Sequence, residues 1–275
     1  MKMITDYQPV VDNIRAIIKK YIVESKLQSL IIGVSGGIDS ALCAVLAKPV
    51  CDELHIPLIG RSITIETNKP EEISRSINVG NHFTHNFKEI DLTQQFQILA
   101  LMIPEDAKTA DKTQHDYKIR MGNLKARTRM LYLYDLAAAN KGMVLTTDNY
   151  TELLLGFWTL HGDVGDYGMI QTLWKTEVYE MSRFLAKLME NQQAAQALLD
   201  CVEAVPTDGL GITNSDLDQI GAATYFEVDT ILMKYLQNNN DETIKNHKVI
   251  QRHLNSEFKR NNPYYIPRNQ IVPTE

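Results

Sequence analysis

The stretch that most constrains this chain is Leu30-Ile31-Ile32-Gly33-Val34-Ser35-Gly36-Gly37-Ile38-Asp39-Ser40-Ala41-Leu42. Its apolar run, rich in β-branched residues, reads as a buried parallel strand. The run stops at Ser35-Gly36-Gly37, and residues 39–46 read as a helix. A strand, a glycine turn and a helix together aim backbone N–H groups and a helix N-terminus at an anion. Glycine suits the turn because it takes positive φ freely and lets a phosphate approach the backbone. Ser35 and Ser40 add hydroxyls, and Asp39 adds a carboxylate able to hold a metal beside phosphates. The spaced glycines and Gly-Lys-Ser/Thr ending of a Walker A loop are missing, as is a dinucleotide fingerprint.

The remaining residues predict an α/β protein. Val10, Val11, Ile14, Ile17, Ile18, Tyr21 and Ile22 recur at helical spacing. The helix after the loop is apolar on nearly all sides, with Pro49 expected to end it. Residues 56–65 read as a second strand. Pro70-Glu71-Glu72 opens a helix with proline first and carboxylates in the first turn. Residues 87–90 read as a short strand and 106–116 as a polar surface loop. Residues 117–140 are helical, with Met130, Leu133 and Ala137 on one face and Lys141-Gly142 closing the helix. Residues 143–147 form the next strand, and helices open near Asp148-Asn149 and Lys175. Residues 203–211 read as a turn-rich loop, Asn238-Asn239-Asn240 as a break between helices, and the Pro263–Pro267–Pro273 tail as extended. Strands alternating with helices give a doubly wound parallel sheet with a helical C-terminal extension, read as a single domain over 1–275. Ligands on such a sheet bind beyond the carboxyl ends of its strands, so the loops after Val34, Ile65 and Thr147 are the expected site.

Composition narrows the partners. The chain has 275 residues and a net charge of −6, so no basic field argues for nucleic acid. No apolar run approaches a membrane span of about 20 residues. The N-terminus lacks the apolar core of a signal peptide. Cys43, Cys51 and Cys201 have no metal spacing and read as thiols of a cytoplasmic protein.

Three further stretches carry chemistry: residues 122–130 (Gly-Asn-Leu-Lys-Ala-Arg-Thr-Arg-Met); residues 147–152 (Thr-Asp-Asn-Tyr-Thr-Glu) with Gly156-Phe157 and Gly162-Asp163; and residues 173–178 (Leu-Trp-Lys-Thr-Glu-Val). The Ser-Gly-Gly-x-Asp-Ser loop resembles the pyrophosphate loop of enzymes that split ATP between its α and β phosphates. With the other three stretches in this order, residues 10–260 resemble the ammonia-dependent NAD synthetases, a family with the adenine-nucleotide α-hydrolase-like fold. That family converts deamido-NAD to NAD with ATP, Mg²⁺ and ammonia. A carboxylate resists attack by ammonia because it is anionic and lacks a leaving group. Attack of its oxygen on the ATP α-phosphorus gives an acyl-adenylate and pyrophosphate, and ammonia then displaces AMP. Charge neutralisation and alignment are left to the protein.

The resemblance implies ATP contacts at Gly33, Ser35, Gly36, Gly37, Asp39, Ser40, Thr147, Lys175 and Thr207, with Asp39, Lys175 and Thr207 as the catalytic set. It implies metal ligation by Asp39 and Glu152, and deamido-NAD contacts at Arg127, Asp166 and Lys259. It also implies a homodimer with the acceptor near the interface. The sequence departs from the family in its acceptor half. Leu160 stands where a lysine helps bind deamido-NAD, with His161 beside it. Residues 206–211 compress a longer loop, and Phe258 replaces a histidine before Lys259. Asp166 matches only with a one-residue gap. No amidase segment follows the N-terminal helix, which points to free ammonia or an amidase on another chain. A ligase for a different carboxylic acid, a sulfur transferase and a nucleotide sensor are the competing readings. Sulfur transfer needs a reactive cysteine that neither Cys43 nor Cys201 supplies, and the presence of Asp39, Glu152 and Lys175 argues against a sensor.

Overall fold

The computed structural model describes residues 3–66, 68–102, 111, 115–206, 216–238 and 242–272. Helix α1 (Gln8–Glu24) leads into β1 (Ser29–Gly33), α2 (Ile38–Leu54), β2 (Leu58–Thr64), α3 (Pro70–Phe83), β3 (Asn86–Asp91) and α4 (Thr93–Leu101). Helix α5 (His115–Ala139) follows, then β4 (Gly142–Thr146), α6 (Tyr150–Leu155), β5 (Tyr167–Gly168), α7 (Lys175–Leu188) and α8 (Gln192–Val202). The C-terminal part is helical: α9 (Asp216–Ile220), α10 (Tyr225–Gln237), α11 (Glu242–Lys245), α12 (Lys248–Asn255), α13 (Glu257–Arg260) and α14 (Arg268–Ile271).

All strands are parallel, in the order β3-β2-β1-β4-β5. Leu30 pairs with Leu58 on one side and Met143 on the other, so β1 sits at the centre. Alternation along the strands divides the core. Leu30, Ile32, Leu58 and Met143 pack under α1, α2, α3, α7 and α8, whereas Ile31, Ile59, Ile63 and Val144 pack under α4 and α5. A third cluster joins α6, α10 and α12 around the fully buried Trp174. The chain runs outward from β1 to β2 and β3, then crosses back to continue as β4 and β5 on the other side of β1, and this reversal opens a crevice at the carboxyl ends of β1 and β4.

Several local expectations change. Pro49 lies inside α2, which continues to Leu54 and ends at the left-handed His55. Proline removes the hydrogen bond to the carbonyl four residues earlier. That carbonyl, Val45 O, accepts from Arg15 Nη2 of α1 at 3.4 Å. The near-continuous burial of α2 holds the helix together through the proline. Strand β5 was not foreseen, because two residues in a glycine-rich stretch show no period. The tail carries the short helix α14 rather than running extended throughout. Ile17 and Tyr21, on the apolar stripe of α1, are 62% and 42% exposed. Most of the expected polar loop 106–116 lies outside the described residues.

Candidate active site

The loop after β1 is held by its own side chains. Ser40 Oγ donates to Gly37 O (3.1 Å) and accepts from Ser35 N (3.2 Å), and Gly37 N donates to Ser35 Oγ (3.2 Å). The two serine hydroxyls lie 3.1 Å apart. Gly36 has φ +82°, and a Cβ there would fall 2.3 Å from the Glu72 carbonyl oxygen. The turn therefore needs glycine both for its conformation and for its close approach to α3.

Asp39, in the first turn of α2, faces the elements that follow β4. Asn149 caps α6 by accepting from Glu152 N (3.0 Å), while its Nδ2 donates to Asp39 Oδ1 (2.8 Å). Lys175, the first residue of α7, donates to Asp39 Oδ2 (2.5 Å) and Glu152 Oε1 (2.8 Å). Two carboxylates far apart in sequence thus share one ammonium. Burial opposes the charge of Lys175, yet Asp39 and Glu152 hold its pKa well above the ordinary lysine value. Burial, with Asp39 second, pushes the Glu152 carboxyl up to about 7. One lysine serving two carboxylates leaves excess negative charge, so the site is charge-matched to a further cation. Among the described residues no group of three or more His, Cys, Asp or Glu side chains is arranged for a metal. Two carboxylates at adjacent strand ends nevertheless suit Mg²⁺, which usually takes one or two protein carboxylates and fills its shell with phosphate oxygens and water.

Lys175 is placed by buried polar contacts from α6, backed by α10. Its N–H donates to Thr151 Oγ1 (2.9 Å), which in turn donates to Asp229 Oδ1 (2.5 Å). Asp229 Oδ2 accepts from Thr176 N (2.9 Å) and Thr176 Oγ1 (2.7 Å).

These groups open into a cavity of about 550 Å³. Gly33, Ser35, Gly37, Asp39, Ser40, Thr147, Glu152, Lys175 and Lys259 all line it. Gly36 stands behind the loop against α3. Arg127 and Asp166 do not line the cavity. Arg127 Nε donates to Leu160 O (3.1 Å), and Asp166 accepts from Tyr134 Oη (2.8 Å) and Val144 N (3.0 Å). Arg129, two residues on, does line it, donating to Ile63 O and to Asn68 Oδ1. Lys259 donates to Gly156 O (2.7 Å) and Trp158 O, fixing the backbone of the loop before Asp163. Thr207 lies outside the described residues.

The sequence motifs assign no role to four lining or supporting residues: Asn149, Asp229, Arg61 and Asp163. Asn149 lies inside a quoted motif, where it reads as a simple cap. Asp229 is 78 residues from Thr151 and has no local signal. Arg61 is 5% exposed, makes no ion pair among the described residues and lines the cavity through β2. A buried arginine in a strand was legible as an anomaly. Asp163 accepts from Thr159 N (2.7 Å), and burial raises its carboxyl to about 6.

A doubly wound sheet with a Ser-Gly-Gly loop, two carboxylates and a bridging lysine at its switch point defines a nucleotide-using α/β enzyme. The NAD synthase family matches residues 10–263, and the chain belongs to that family. It is similar to the NH(3)-dependent NAD(+) synthetase of Thermoplasma acidophilum, with 30% identity over 267 residues, 96% of this chain and 99% of that protein. In fold it is similar to the NMN synthetase of Francisella tularensis, with TM-score 0.77 and 22% identity over 96% of this chain and 100% of that one. It is also similar to the NH3-dependent NAD synthetase of Campylobacter jejuni, with TM-score 0.70 and 23% identity over 96% and 100% of the two chains.

Proposed function

We propose that this protein is an AMP-forming ligase that amidates deamido-NAD to NAD with ATP and ammonia. The observation that carries the reading is the convergence of Asp39 and Glu152, from the segments after β1 and β4, on Lys175 beside the Ser-Gly-Gly loop. The loop N–H groups and the α2 N-terminus take the phosphates. Asp39 and Glu152 would hold Mg²⁺, which when bound neutralises phosphate charge and polarises the α-phosphorus. Lys175, whose ammonium bridges the two carboxylates beside the loop, would stand next to the phosphates. The acceptor carboxylate approaches from the side of Phe157, Trp158 and Asp163, where aromatic faces suit a pyridine ring. Residues 1–275 act as one catalytic unit, and Thr207 contacts ATP.

Arg127 and Asp166 take part if the acceptor extends beyond the cavity toward a second subunit. Arg127, Leu131 and Tyr134 lie on one face of α5, and Leu131 is 69% exposed. Tyr21 of α1 meets the ring of Tyr167 on the edge strand, 4.9 Å between centroids. This apolar edge supports a homodimer, and the absence of a basic field and of a membrane-crossing helix among the described residues supports a cytoplasmic enzyme without nucleic acid partners.

The test is incubation with Mg-ATP, ammonium and deamido-NAD, following AMP and NAD. Stoichiometric AMP and NAD are expected. AMP formed only with another acid, nicotinate mononucleotide being the first to try, would replace the acceptor. No AMP with any acid would favour a sensor.

A further inference from the structure

Adenylation forms a bond from the acceptor carboxylate oxygen to the α-phosphorus and breaks the bond from that phosphorus to the α–β bridging oxygen. The electron pair leaves on pyrophosphate, and no proton moves. Charge therefore grows on the leaving group, where a fixed cation stabilises the transition state most. Lys175 alone is poorly matched to this task, since Asp39 and Glu152 both claim its charge.

Arg75, on α3, stands on the other side of the loop. Its Nε donates to Gly36 O at 2.9 Å. The contact is built in: Gly36 rests on the α3 backbone, where a Cβ would fall 3.1 Å from Ser76 N as well as onto Glu72 O. Arg75 lines the same cavity as Asp39 and Lys175. Among the described residues its Nη atoms make no hydrogen bond and its guanidinium no ion pair. One edge of the fork is thus anchored on the phosphate loop, and the other is unspent at the cavity wall.

We infer that Arg75 is a catalytic residue whose Nη groups bind the β and γ phosphates of ATP and stabilise the departing pyrophosphate. Planar guanidinium matches two phosphate oxygens at once, and anchoring through Nε removes much of the ordering cost. The inference rests on the ATP half of the proposed function and not on the acceptor.

The experiment measures binding of pyrophosphate, ATP and AMP, each with Mg²⁺ and without acceptor, to the wild type, Arg75→Gln and Arg75→Lys. Glutamine keeps a donor for Gly36 O but loses the charge. Arg75→Gln is expected to weaken pyrophosphate and ATP by about ten- to a hundredfold and AMP by no more than about twofold. Arg75→Lys should recover part of the loss. Unchanged pyrophosphate affinity would overturn the inference. Equal losses for ATP and AMP would also overturn it, by reducing Arg75 to a prop for the loop. Because no acceptor is present, failure with deamido-NAD leaves this result unaffected.

Discussion

Asn149 Nδ2 donates to Asp39 Oδ1 at 2.8 Å, tying the cap of α6 to the first turn of α2 across the switch point of the sheet. A side chain that is 0% exposed thereby serves two helices. Removing it strips α6 of its cap and leaves Asp39 short of a donor. Asn149→Ala is expected to lower stability by about 1–3 kcal/mol, read by urea unfolding. Asn149→Asp keeps the capping oxygen but sets a like charge against Asp39. At pH 8 it should therefore unfold at least as early in urea as the alanine variant, and it should also lose turnover.

Gly36→Ala tests the seating of the loop on α3. The added methyl meets Glu72 O in a backbone held at φ +82°. A cost of about 1–3 kcal/mol is expected, with the loop shifted off its seat. Thermal unfolding should fall by several degrees and KM for ATP should rise, while far-ultraviolet circular dichroism stays unchanged.

Asp229 is buried and satisfies Thr151 of α6 and Thr176 in the first turn of α7. Asp229→Ala leaves those donors without an acceptor and frees the turn that carries Lys175. A loss of about 3–5 kcal/mol is expected. Asp229→Asn retains one acceptor oxygen and should lose less in stability, with kcat reduced because the Lys175 backbone shifts.

The buried Asp163 makes stability depend on pH. Its carboxyl is raised from 3.8 to about 6 by burial. Between those values the folded chain binds more protons than the unfolded chain, so this group lowers stability as pH rises. Below about 4 its penalty vanishes, and above about 6 it is constant. Asp163→Asn should flatten that part of the profile and raise the melting temperature at pH 8. Loss of turnover in the same variant would place the carboxylate at the acceptor.

The parts of the site that were legible in the sequence are those built by local grammar. The Ser-Gly-Gly turn, the proline opening of α3 and the starts of α6 and α7 each obey short-range rules, and Ser35, Gly37, Asp39, Ser40, Glu152 and Lys175, which line the cavity, lie in or beside them. Pro49 misled because its cost is local, whereas its compensation, Arg15 on Val45 O, comes from another helix. Arg127 and Asp166 sit in family motifs but do not line the cavity, since motif position does not determine which way a side chain leaves its helix or loop. Asn149, Asp229 and Arg75 act through contacts between residues 39 to 110 positions apart, and no local pattern records those.

The most direct measurement uses deamido-NAD labelled with oxygen-18 in its carboxylate, turned over with Mg-ATP and ammonia. Activation at the α-phosphorus requires one labelled oxygen to pass to AMP, detected by mass spectrometry, with none in pyrophosphate. Unlabelled AMP, or label appearing in pyrophosphate or phosphate, would contradict formation of the acyl-adenylate at this site.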